Sequence, residues 1–72
     1  MNTKVSEPQF KIGTKYQSTG KRKDICTVID ILKTYNSNNI LVQVRYVSEH
    51  DFMGQVVRDY DVIGATIARN LI

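Results

Sequence analysis

Lys21-Arg22-Lys23 is the stretch whose residue types and spacing point most directly to chemistry. Lys11, Lys15 and Tyr16 precede it closely. Together the six offer positive charge to phosphate oxygens and an aromatic face to a base, the two ingredients of a nucleic-acid surface. No recognition helix is predicted, so such a surface would neutralise phosphates with little reading of base edges. Three adjacent cations also occur on plain solvated loops, and stacking platforms usually show more than one exposed aromatic.

Catalytic groups are sparse. Cys26 and His50 are the sole thiol and imidazole. Nucleophilic catalysis needs a base within reach of the nucleophile and usually an orienting group. A thiol in an apolar strand and an imidazole in a distant loop do not meet that requirement, and Cys26 reads as a small buried hydrophobe. One cysteine permits no intramolecular disulfide and suits a reducing compartment. Glu49-His50-Asp51 holds three potential metal ligands, yet neighbours in an extended segment point apart, whereas metal sites gather spaced ligands. Asp59 and Asp61 share a strand face, as paired carboxylates do in acid–base sites, but no cleft is predicted around them. No phosphate-cradling glycine loop is present. The expectation is a non-enzymatic chain without metal or cofactor.

A second surface competes with the basic one. Phe52 and Met53 plug one end of the predicted core, and Asp59 and Asp61 lie on the next strand. These residues would dock a host protein or another copy of the chain, in an aromatic groove or by strand addition at an edge.

The elements that must position these groups read as β-structure. Ile25–Tyr35 and Ile40–Val47 are rich in β-branched and aromatic residues. Asn36-Ser37-Asn38-Asn39 between them is turn chemistry, so the pair forms one long hairpin. On the first arm Ile25, Thr27, Ile29 and Ile31 alternate with Cys26, Val28, Asp30 and Leu32, and neither face is plainly polar. On the second, Ile40, Val42, Val44 and Tyr46 are expected inward, with Gln43 and Arg45 outward. Residues 10–16 read as a short first strand, 17–24 as a basic loop, 48–54 as a loop and 55–62 as a further strand. Residues 63–72 fit either a short helix capped by Asp61, or a single turn leading into a final strand, the preferred form. Residues 1–9 read as a flexible tail and 10–72 as one domain. The fold expected is all-β: a small five-stranded SH3-like or Tudor-like barrel, or a strongly twisted meander, with a short helical turn near the carboxyl end. Closure would remove exposed strand edges.

Size and charge bound the rest. A chain of 72 residues buries only about 60% of its unfolded surface, leaving little stability in reserve. The formal charge is +3. Residues 1–35 carry seven cations against three anions, and residues 36–72 carry three against four. That asymmetry fits one phosphate-attracting face as well as ordinary solvation. The amino terminus lacks the apolar core of a signal peptide, and no apolar run approaches the roughly 18 residues of a spanning helix. A cytoplasmic protein with no membrane partner is expected, and self-association would cover the second apolar face of the first hairpin arm.

Lys11-Ile-Gly-Thr-Lys-Tyr16, Ile25-Cys-Thr-Val-Ile-Asp-Ile31, Arg45-Tyr-Val47, His50, Gly54-Gln55 and Thr66-Ile-Ala-Arg69 together resemble small accessory proteins encoded by bacteriophages and related mobile elements. The resemblance covers most of the chain after residue 9. It implies a bacterial host cytosol and an accessory role during infection, as an inhibitor or adaptor. It brings no assigned activity, so no catalytic or binding residue is carried over with it.

Overall fold

The structure, a computed structural model, describes residue 5 and residues 7–72. An antiparallel meander runs in the order β1 (Lys15–Gln17), β2 (Ile25–Tyr35), β3 (Leu41–Phe52) and β4 (Gln55–Val62), and a short helix, α1 (Gly64–Arg69), follows. The four-stranded sheet does not close on itself. No helix among the described residues is long and apolar enough to cross a membrane.

The long hairpin forms where the sequence places it. Asn36 builds its turn: the Asn36 Oδ1 accepts from the amides of Asn38 (2.8 Å) and Ile40 (3.1 Å), and Asn39 takes the left-handed conformation at φ 61°. Asparagine tolerates that region better than most residues because its short amide bonds locally.

Three elements differ from expectation. The first strand starts only at Lys15, because residues 11–14 form a turn in which the Lys11 carbonyl accepts from the Thr14 amide (3.0 Å). Gly13 takes φ 99° there, a conformation that side chains disfavour, and its amide donates to the Val28 carbonyl (2.7 Å). Residues 48–54 are not a loop. β3 continues to Phe52, and Met53-Gly54 turns it tightly into β4, with positive φ at both residues as a type I′ hairpin turn requires. The carboxyl segment is a helix rather than a strand: Ala65 and Ala68 favour helix, and Ile67 anchors it in the core. Ile63, with no side-chain hydrogen bond, stands at its N-cap in place of Asp61. The residues left after α1 meet β1 through one Tyr16–Leu71 bridge, with the Gln17 amide donating to the Asn70 carbonyl (2.8 Å).

Bulges explain why neither face of β2 looked polar. Cys26 and Val28 point into the core, and a register shift between Val28 and Asp30 then turns Ile31 to the same side. One inserted residue reverses every side chain beyond it. The buried cluster is Tyr16, Cys26, Val28, Tyr46 and Ile67, with Phe10, Ile31, Val44 and Val62 packed against it. Phe10 meets Tyr46 edge to face at 5.8 Å. Val42, expected inward, is exposed, and Leu41 is buried instead, beside a second register shift between Thr34 and Tyr35.

The expected tail over residues 1–9 lies outside the described residues at 1–4 and 6. Of the remainder, the Val5 amide donates to the Leu41 carbonyl (3.0 Å) and the Gln9 amide to the Tyr46 hydroxyl (3.2 Å).

Candidate functional site

The loop between β1 and β2 is pinned at its neck. The Ser18 amide donates to the Asp24 carbonyl (2.8 Å), and the Asp24 amide donates back to the Ser18 hydroxyl (3.0 Å). Lys23 takes φ 53°, and its amide closes a turn on the Gly20 carbonyl (3.2 Å). With both ends held, Lys21, Arg22 and Lys23 are all exposed on the loop. Charged heads need water unless paired, which forces this placement.

Of the cations elsewhere among the described residues, three are matched by carboxylates, and Arg69 donates only to the Ala65 carbonyl (3.3 Å). Lys33 pairs with Glu7 (3.5 Å), Arg45 with Asp61 (3.1 Å) and Arg58 with Glu49 (3.3 Å). Exposed pairs of this kind add little stability, but they cancel field locally. Lys11, Lys15, Lys21 and Lys23 are all exposed and, among the described residues, pair with no carboxylate. Lys15 only donates to the Thr27 hydroxyl (3.0 Å). The unmatched lysines are therefore concentrated between residues 11 and 23.

Arg22 joins the two surfaces that the sequence kept apart. Its Nε lies 3.3 Å from the Asp24 carboxylate, and its guanidinium stands 4.6 Å above the centre of the Phe52 ring. Phe52 and Met53, at 40% and 80% exposure, thus sit beside the basic loop at the β3–β4 tip. A cation over an aromatic face at this distance is attracted by the ring quadrupole. No sequence pattern announces this meeting, because the two residues lie on different elements far apart in the chain.

Tyr16 does not belong to that surface. It is 3% exposed, and its hydroxyl shares a 2.6 Å hydrogen bond with the buried Ser48 hydroxyl, so it offers no ring to a base. Alternation in β1 turns Lys15 and Gln17 outward while Tyr16 fills the core. Burial pushes both the Tyr16 phenol and the neighbouring Cys26 thiol up, keeping them neutral. Cys26 is buried, and its Sγ lies 3.8 Å from the Asp24 carbonyl, the geometry of a packed thiol.

The remaining candidates separate. Glu49 reaches Arg58, His50 points inward with its Nδ1 3.9 Å from the Asp59 carboxylate, and Asp51 is exposed. Among the described residues no three His, Cys, Asp or Glu side chains gather as a metal site would need. Asp59 and Asp61 do not share a face. A register shift between Tyr46 and Ser48 puts Asp59 opposite the buried Ser48 and sends Asp61 to Arg45. Where the sheet stays open, a groove lined by Tyr16, Ser18, Asp59, Tyr60 and Thr66 runs between β1 and β4. Comparison of the chain with protein-family models, curated proteins and solved structures returned no match.

Proposed function

We propose that this is a non-enzymatic binding module that contacts nucleic-acid phosphates through the loop over residues 18–24, with Lys11 and Lys15 adding charge. The observation that carries the reading is the split among cations. Lys33, Arg45 and Arg58 are matched by carboxylates, whereas Lys11, Lys15, Lys21 and Lys23 are exposed without one. Four unmatched lysines within thirteen residues of sequence favour a polyanion, and each phosphate contact releases condensed counterions. Phage origin and action in the bacterial cytoplasm, implied by the resemblance, fit a small accessory factor of this kind.

The architecture we infer is an SH3-like barrel left partly open. The Tyr16–Leu71 bridge, placed after the short helix α1 and against the free side of β1, supports this as the rudiment of a fifth strand. A second reading, capture of a host protein or self-association, is favoured by β4. It is an edge strand with Val56 65% and Tyr60 60% exposed, and an added strand could pair there.

Fluorescence anisotropy with labelled DNA and RNA at two salt concentrations tests the proposal. Affinity should fall steeply with salt, and Lys21→Ala with Lys23→Ala should weaken binding and reduce the salt slope by about one per lysine removed. Binding indifferent to both substitutions overturns the site. Absence of any binding, with a salt-resistant protein complex lost on Tyr60→Ala, supports the second reading.

A further inference from the structure

We infer that the Arg22–Phe52 stack at the β3–β4 tip is a base platform, which makes unpaired nucleic acid the ligand of this surface. The inference rests on the phosphate-binding reading and adds a residue class to it: an aromatic that takes a base, in the place that Tyr16 cannot fill.

Three observations carry it. First, the guanidinium carbon lies 4.6 Å from the centre of the Phe52 ring, so a cation–π contact already marks this ring face, with the Arg22 Nε 3.3 Å from the Asp24 carboxylate. A base adds a layer to that contact, and every base has a π-face, so no particular sequence is required. Second, the platform adjoins the unmatched Lys21 and Lys23, which supply the backbone charge a strand needs on arriving there. Third, the hairpin that carries Phe52 keeps a net negative charge away from the loop, because Arg58 matches Glu49 (3.3 Å) while Asp51 and Asp59 remain on its two arms. A two-stranded ribbon is a shape that the duplex major groove admits, but these carboxylates would be driven against phosphates on both groove walls. The tip tolerates a polyanion only from the side of the basic loop. A duplex keeps its base faces stacked inside, whereas a single strand presents them.

Two labelled probes decide the matter: an oligothymidylate of about a dozen nucleotides, near the span such surfaces cover, and a duplex of the same length. The intact chain should bind the single strand more tightly. Phe52→Leu keeps the apolar contact but removes the ring, and should weaken single-strand binding about ten-fold while leaving the duplex value unchanged. Phe52→Trp should retain the affinity. The chain has no native tryptophan, so quenching of the new indole on adding oligothymidylate reports stacking directly. Equal binding of both probes with no loss in Phe52→Leu overturns this inference while the phosphate reading stands. An unquenched indole at saturating single strand overturns it as well. If neither probe binds at low salt, the phosphate reading fails first and takes the platform with it.

Discussion

The two ends of β3 are made differently. At its beginning, Asn36 to Ile40 turn the chain with side chains that satisfy the backbone, and Leu41 is buried at once. At its end, Met53-Gly54 turn it with an exposed methionine held at φ 52°. Left-handed backbone costs a residue with a Cβ about 1–2 kcal/mol, and asparagine would fill the same position more easily. Every residue from Asp51 to Asp61 is exposed, and Phe52 is met by Arg22 from the basic loop. One end serves folding. The other displays apolar and charged groups at some cost to the fold, which is how contact surfaces are built.

This contrast can be broken by substitution. Ile67→Ala, in the core between the two ends, should cost about 2–5 kcal/mol, and in so small a domain much of the population would unfold at ambient temperature. Val56→Ala, on the displayed arm, should cost less than about 0.5 kcal/mol. Urea denaturation of both measures the difference, and similar losses would mean that the β3–β4 hairpin is part of the core.

Alkaline titration probes the same core. Tyr16 and Cys26 have raised values in the fold, so their contribution is complete below the ordinary thiol and phenol ranges, about 8.5 and 10, and is lost as pH rises through the raised folded values. Thermal stability should therefore hold to about pH 8.5 and then decline. Cys26→Ala should delay the onset of that decline toward the phenol range. A melting temperature independent of pH between neutrality and strong alkali would contradict the burial of both groups.

Smaller effects sharpen the comparison of the turns. Asn36→Ala removes the acceptor of two amide bonds and should cost about 1–2 kcal/mol, leaving oligonucleotide affinity unchanged. Met53→Asn should do the reverse at the other end and raise stability by about 1 kcal/mol or less. A destabilised Met53→Asn protein would show that the methionine side chain packs rather than displays.

Much of the meander was legible along the chain. The hairpin over residues 25–47 announces itself in β-branched composition and an asparagine turn, both local properties. The exposure of Lys21, Arg22 and Lys23 follows from the solvation of charge. The tight turn at Met53-Gly54 was not legible, since methionine is not a turn-former and only the pairing of Phe52 with Gln55 brings it about. The place of Tyr16 is not legible for a related reason. Its type suits either a stacking surface or a core, and the choice depends on which way β1 faces when it pairs with β2.

Sequence alone determined the strand-forming segments, the asparagine turn and the cluster of cations that must meet water, because each follows from a residue's own backbone preference or hydration. Tertiary structure decided which side chains share a face and which surfaces coincide. Bulges near Ile29 and Tyr60 reset the alternation, turning the half-buried Ile31 toward the core and parting Asp59 from Asp61. The Arg22–Phe52 stack exists only because the β1–β2 loop and the β3–β4 tip come together in space. Register and proximity depend on neighbouring strands, and a shift of one residue reverses every face beyond it.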